Sequence, residues 1–298
     1  MVALCALLLS AAAVSAHFGV DASGYSRVLF PLGTPVGPSM PVVFLLNDLS
    51  NGGQPVTDLD VVHERVLHVF IIGEDLRTAQ HIHPEDFEDG LRWQEQGQYN
   101  VFATFPHPGR YLIFGQYTRE GVTYRVQQIA TADGNGTPMA FVPDYSRTQE
   151  ASGYTITLDM PEELVTNELT RFSFRIEKDG QPVTTLEPRL GADAHLFLVN
   201  TALNITDHAH PYIPGHGTHI GSMPQRYRGP TLPFEETFPE AGTYALYLEF
   251  QHEGVAVPVV FHVKAEDPTP FPWRTVFFVL WGVGLLFVIA LGYRFMRS

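Results

Sequence analysis

His68–Pro84 reads HVFIIGEDLRTAQHIHP, and His195–Pro211 reads HLFLVNTALNITDHAHP. Each copy opens an apolar run with a histidine, continues for twelve residues and closes on His-x-His-Pro. Working outward, Gly53–Pro84 aligns on Gly180–Pro211 without gaps at a constant offset of 127. Gly53-Gln54-Pro55-Val56-Thr57, Leu59, His68, Phe70, Leu76, His81, His83 and Pro84 are identical in the two copies. After a longer insertion in the second copy the match resumes: Thr104-Phe105-Pro106-x-x-Gly109-x-Tyr111 corresponds to Thr237-Phe238-Pro239-x-x-Gly242-x-Tyr244, and Glu120-Gly121-Val122 to Glu253-Gly254-Val255. The chain is a tandem repeat of a unit of roughly 110 residues.

Inside each unit the hydrophobic period is two. Phe172, Phe174 and Ile176 alternate with Ser173, Arg175 and Glu177, and Tyr154, Ile156 and Leu158 alternate with threonines. Short runs of this kind, separated by turns rich in Gly, Pro, Asn and Asp, predict strands. The expected fold is all-β: two tandem immunoglobulin-like antiparallel β-sandwiches, followed by one C-terminal transmembrane helix.

The ends set the expected location. Residues 1–16, MVALCALLLSAAAVSA, are apolar, too short to span a bilayer and end in Val-Ser-Ala, which predicts a signal peptide. Repeat 1 is expected over 17–132, a linker over 133–152, repeat 2 over 153–266 and a proline-bearing juxtamembrane linker over 267–274. Residues 275–293, TVFFVLWGVGLLFVIALGY, carry no charge and are long enough to cross a membrane; Arg294 and Arg297 follow within the tail 294–298. The expectation is a single-pass protein with its bulk outside the cytoplasm, periplasmic or at the cell surface, and a short cytoplasmic C-terminus.

Composition narrows the partners. The chain has 298 residues, 45% hydrophobic and 17% charged, enough to bury a core. Its formal charge of -14 argues against nucleic acid, because phosphate binding needs clustered Lys and Arg. The single cysteine, Cys5, falls in the expected signal peptide, leaving the mature chain without a disulfide or a thiolate ligand.

Histidines carry the chemistry. If His68–Ile72 and Gln80–His83 are antiparallel strands joined by a turn near Glu74–Arg77, His68 lies opposite His83. His81 and His83, two residues apart, share one face. Facing Cβ atoms in such a pair are about 4.5–5.5 Å apart, close enough for imidazoles to share one ion. The candidate metal ligands are therefore His68, His81 and His83 in the first repeat and His195, His208 and His210 in the second, at about one ion per repeat. Imidazole without thiolate excludes a mononuclear blue-copper site and leaves copper or zinc. Glu85, Asp86 and Asp207 are candidates for orienting the rings.

Further candidates are His216 and His219 in the inserted loop, with Met223 as a soft donor for Cu(I), and His252, where the first repeat has Arg119. His63, His107 and His262 are read as structural or exposed. Cleavage after Ala16 would expose His17, whose amine and ring nitrogen together chelate copper. In that pattern alone it resembles the copper brace of CopC-like proteins, polysaccharide monooxygenases and the soluble subunit of particulate methane monooxygenase. No hydrolase motif and no phosphate-binding glycine loop is present, so an enzyme would have to work through a metal.

The histidine before an apolar strand, the acidic-Leu turn Glu74-Asp75-Leu76, His-x-His-Pro and Phe-Pro-x-x-Gly-x-Tyr together resemble YtkA-like and FixH-like extracytoplasmic β-sandwich domains. Both repeats carry all but the acidic-Leu turn, which the second replaces by Thr201-Ala202-Leu203. The resemblance implies an immunoglobulin-like fold, an envelope location and a link to heavy-metal handling. Two functions stay open at this point: extracytoplasmic metal binding, delivery or tolerance, and a structural or interaction ectodomain or accessory subunit of a membrane complex, whose histidines are core residues. A copper oxidase or monooxygenase subunit using His17 is a third.

Overall fold

The computed structural model describes residues 20–22, 26–30, 34–37, 39–134, 136–204, 206–212 and 227–269. Among them there is no α-helix, and no helix is long and apolar enough to cross a membrane. The expected signal peptide, His17, the loop bearing His216, His219 and Met223, and the expected membrane segment lie outside the described residues.

Each repeat pairs two sheets around its own core. In the first, Val20–Asp21, Val122–Asp133, Gly109–Arg119, Leu67–Gly73 and Ala79–Ile82 lie in that order in one sheet, facing a second sheet of Arg27–Leu29, Ser39–Leu45 and Gln98–Thr104. In the second, the order is Leu164–Val165, Val255–Glu266, Gly242–His252, His195–Asn200 and Thr206–Ala209, facing Thr148–Ala151, Tyr154–Asp159, Leu169–Lys178 and Thr231–Thr237. Pairing is antiparallel except where short N-terminal strands run parallel to the last strand of their repeat. Thr148–Ala151 lies inside the stretch expected to be linker. Its pairing with Tyr154–Asp159 makes it an edge strand of the second repeat instead.

The Phe-Pro-x-x-Gly-x-Tyr motif has a local structural task. Tyr111 donates its hydroxyl to the His107 carbonyl at 2.8 Å and accepts the His107 N–H at 3.2 Å; Tyr244 does the same with Glu240 at 2.8 and 3.2 Å. The tyrosine thereby ties off both backbone groups of the turn that enters the strand, as the tyrosine corner of immunoglobulin-like folds does.

The apolar strand after each leading histidine is buried on both faces, and its two faces pack on different things. Leu67, Val69 and Ile71 enter the first repeat's core, while Leu196 and Leu198 enter the second's. The alternate residues, Phe70 and Ile72 with Phe197 and Val199, join Leu76, Leu112, Phe114, Leu203 and Ala245 in a third cluster between the repeats. Phe70 and Phe197 stack there at 4.1 Å with ring planes 9° apart. The repeats thus dock through the outer faces of equivalent sheets. His68 and His195 share the parity of Phe70 and Phe197, which aims both at the same junction.

Candidate metal centre

Register forms both hairpins as the spacing predicts. Val69 faces Ile82 and Phe70 faces His81, so the ladder continues with His68 opposite His83. Leu196 faces Ala209 and Phe197 faces His208, which puts His195 opposite His210. The turns between the strands satisfy themselves with side chains: Asp75 accepts the N–H groups of Arg77 and Thr78, and Asn200 accepts that of Asn204. Leu76 and Leu203, both with positive φ, cap the inter-repeat core although the acidic pair is absent from the second copy.

Two separate three-histidine sites were the expectation; docking merges them into one centre. The His68 ring lies 5.2 Å from that of His208, and His81 lies 5.5 Å from His195. Within the first hairpin, His81 Nε2 is 3.4 Å from His68 Nδ1 and 3.1 Å from His83 Nε2. Within the second, His195 Nδ1 is 3.1 Å from His208 Nε2 and 3.2 Å from His210 Nε2. Two sets of three ring nitrogens lie within 4.8 Å of one another among the described residues: the expected His195, His208 and His210, and, across the junction, His68, His81 and His208, with His208 in the place expected for His83.

The other ring nitrogens face acceptors. His68 Nε2 donates to the Val62 carbonyl at 3.1 Å, and His195 Nε2 donates to the Arg189 carbonyl at 2.9 Å. His83 Nδ1 donates to Asp86 Oδ2 at 3.0 Å. His81 and His208 reach into the opposite repeat, donating from Nδ1 to Glu249 Oε2 at 3.2 Å and to Gln116 Oε1 at 2.8 Å. Gln116 and Glu249 are equivalent, since they pair with His68 and His195 in their sheets. Of the orienting residues expected from sequence, Asp86 holds a ring. Glu85 instead accepts the Val66 N–H, and Asp207 turns to the side occupied by Glu236.

These acceptors decide where the lone pairs point. A neutral imidazole carries one N–H, and a carbonyl or carboxylate on the outer nitrogen holds it there. Burial keeps the rings neutral: it pushes His68, His81, His195 and His208 well below the ordinary histidine range, and the neighbouring imidazoles add to the shift. Inner nitrogens are left as acceptors facing each other, an arrangement compatible with a shared cation. Four ligands at 2.0–2.1 Å around a tetrahedral ion sit about 3.3 Å apart. The observed separations of 3.1–3.4 Å match that spacing.

His63 joins the centre without having been expected there. The two-residue turn between Val62 and Arg65 places His63 and Glu64 at positive φ, as the turn of Leu190 and Gly191 does between Arg189 and Ala192. This turn drives His63 onto His210, with ring centres 3.9 Å apart. The residue is 2% exposed, and neither ring nitrogen makes a hydrogen bond of ordinary geometry. Burial lowers its pKa to about 4, against a smaller opposing effect of the Gly191 backbone. One sequence signal pointed to its burial: the equivalent position of the second repeat is Leu190.

The remaining histidines differ in kind. His252 is not brought to the centre; it is fixed by Tyr154 Oη at 2.8 Å and Thr185 Oγ1 at 3.0 Å. His262 accepts the Asp144 N–H at 3.0 Å and donates to the Leu76 carbonyl at 3.2 Å. Both have each nitrogen satisfied by a group other than imidazole, which is how a structural histidine looks in this protein.

Comparisons with known proteins give a family and no activity. No curated protein matches the sequence. Solved structures with some likeness include the chicken CNTN1 FN1–FN3 domains (8% identity, TM-score 0.22, covering 85% of this chain and 69% of that one). Others are Yersinia pseudotuberculosis InvD (11%, 0.24, 84% and 61%) and red sea bream transglutaminase (10%, 0.23, 83% and 32%). The chain therefore spans less than two thirds of the latter two, and the fold assignment rests on the strand pairing described above rather than on these likenesses. The family described as Domain of unknown function (DUF8832) matches twice, over residues 36–134 and 149–267, and these are the two repeats. The chain belongs to the DUF8832 family, as a tandem pair of its domains.

Proposed function

We propose that this is a membrane-anchored, extracytoplasmic copper- or zinc-binding protein that holds its metal at the junction of two β-sandwich repeats, for metal binding, delivery or tolerance. One observation carries the metal reading: inner imidazole nitrogens 3.1–3.4 Å apart, with the other nitrogen of His68, His81, His83, His195 and His208 held by an acceptor. Metal-ligating histidines donate their second nitrogen to a carboxylate or carbonyl in this way. His252 and His262, with no inward nitrogen, show that the same fold accommodates structural histidines differently. The envelope location rests on the apolar ends of the sequence, and the resemblance to YtkA-like and FixH-like domains points to the same compartment. Copper is favoured over zinc by the general affinity order at nitrogen donors.

Elemental analysis of the full chain, purified without a histidine tag, tests the reading. Copper or zinc should co-purify or reload, and His81→Ala with His83→Ala, or His208→Ala with His210→Ala, should reduce it. A chain that binds neither Cu(II) nor Zn(II) more tightly than millimolar leaves the histidines as a structural junction.

A further inference from the structure

We infer that the centre takes one ion per chain, in either of two overlapping three-histidine seats, and that His208 is the ligand common to both. The inference rests on the metal reading above and adds the number of ions, the ligand sets and the one histidine on which each full set depends.

Among the described residues, two sets of three ring nitrogens are mutually close enough to hold an ion: His68, His81 and His208, and His195, His208 and His210. The first draws on both repeats and the second on the second repeat alone. His208 belongs to both sets, and each of the other four histidines belongs to one. His81 is the equivalent of His208 in the duplication, yet it enters only the cross-junction set. Repeat symmetry would give each hairpin an ion of its own; the docked geometry instead gives the two seats a shared ligand.

The free nitrogens then limit occupancy. A neutral imidazole carries one N–H and one lone-pair nitrogen, and only the latter can bind an ion. His208 donates from Nδ1 to Gln116 Oε1 at 2.8 Å, which leaves Nε2 as its lone-pair nitrogen. His208 Nε2 lies 3.1 Å from His195 Nδ1, close to the spacing of two ligands on one tetrahedral ion. One lone pair makes one bond to one ion. An ion that takes all three histidines of either set therefore withholds His208 from the other, and a ring bridging two ions through both nitrogens would have to give up Gln116.

The partners of His208 are paired in the same sense. His68 Nδ1 and His81 Nε2 stand 3.4 Å apart, and His195 Nδ1 and His210 Nε2 stand 3.2 Å apart. Each seat is a pair of imidazoles completed by His208 as third ligand. Three protein ligands suit a single Cu(II) or Zn(II) ion with its fourth position open. Dispensability follows from membership: loss of His81 leaves the set in the second repeat, loss of His210 leaves the cross-junction set, and loss of His208 leaves neither.

Titration of the untagged, metal-free full chain with Cu(II), read by total-copper analysis and by competition against a chelator of known affinity, tests this. Wild type should saturate at one copper per chain. Loss of a ligand's outer partner alone typically costs 10- to 100-fold, so His208→Ala, which removes a ligand from both seats, should cost about 100-fold or more. His81→Ala and His210→Ala should each cost less than His208→Ala, and the two combined should cost as much as His208→Ala. His208→Leu fills the same space and carries the measurement if His208→Ala fails to fold. A wild-type chain that holds two copper ions tightly, or a His208 variant that binds no more weakly than His81→Ala, overturns the shared ligand while leaving metal binding intact. No Cu(II) and no Zn(II) bound by wild type overturns both readings together.

Discussion

His81 in the first repeat donates to Glu249 in the second at 3.2 Å, and at the equivalent place His208 donates to Gln116 at 2.8 Å. Each ring is thus oriented by the other repeat, and duplication left a carboxylate on one side and an amide on the other. A carboxylate on the outer nitrogen makes an imidazole a better donor, and loss of such a partner typically costs 10- to 100-fold in metal affinity. Glu249→Gln should therefore weaken binding at the His81 side about tenfold while preserving the hydrogen-bonding shape. Glu249→Ala should weaken it further, and Gln116→Glu should not weaken binding at all. Competition against a chelator of known affinity measures this, and equal affinities for wild type and both Glu249 variants would remove the carboxylate's role.

His63 presents the opposite case, a buried imidazole with no hydrogen bond of ordinary geometry on either nitrogen. An unsatisfied buried polar group costs about 1–3 kcal/mol. Leu190 occupies the same turn position in the second repeat at nearly the same positive φ, 47° against 50°, so leucine tolerates this backbone. His63→Leu should stabilise the metal-free chain by about 1–2 kcal/mol if nothing else changes. Denaturant midpoints measure it; a destabilised variant would mean that His63 has a partner the geometry does not reveal.

Much of this was legible in the sequence because it repeats. The constant offset of 127 fixed the units, the period of two fixed the strands, and the twelve-residue spacing fixed a hairpin register that holds in both copies. What stayed hidden is the docking. A run such as His68–Gly73 is apolar on both faces, so its pattern shows that both are buried without showing against what. The merging of two triads follows only once Phe70 meets Phe197. His63 was missed for a related reason: recurrence was the criterion, and its counterpart is Leu190. His252 met a criterion of histidine content, yet its parity points it to Tyr154 and the second repeat's interior.

Acid should loosen the metal-free junction. His63, His68, His81, His195 and His208 all have folded-state pKa values depressed below 6.5 by burial, His63 to about 4. The unfolded chain therefore binds more protons, and the stability these groups contribute is complete above about pH 6.5 and lost as pH falls toward 4. Asp207 acts in the opposite sense: burial raises it from 3.8 to about 7, so its contribution is present at low pH and is lost as pH rises through 7. Glu236, raised by burial and by Asp207, acts in the same direction. Five imidazoles outweigh two carboxyls, so net stability should fall between pH 6.5 and 5, at up to about 1.4 kcal/mol per pH unit for each net proton. Urea midpoints across that range measure it, and a flat profile would show that the rings are solvated.

Phe70 and Phe197 connect the junction to the centre. Their rings stack at 4.1 Å, and Phe70 also lies against His81 at 4.2 Å with planes 10° apart. Phe→Ala at a buried position costs about 3–5 kcal/mol, through lost transfer energy and the cavity left behind. Each repeat keeps a core of its own that contains neither phenylalanine, so the loss should fall on docking rather than on the sandwiches. Phe197→Ala should make the two repeats unfold in separate steps and lower metal affinity together with docking. Tyr111→Phe is the control: it cuts a turn contact at 2.8 Å, should cost about 1 kcal/mol, and should leave metal binding unchanged. If Phe197→Ala destabilised the chain and left affinity intact, the metal would be held by one repeat alone, and the contacts of His81 with Glu249 and of His208 with Gln116 would be incidental to binding.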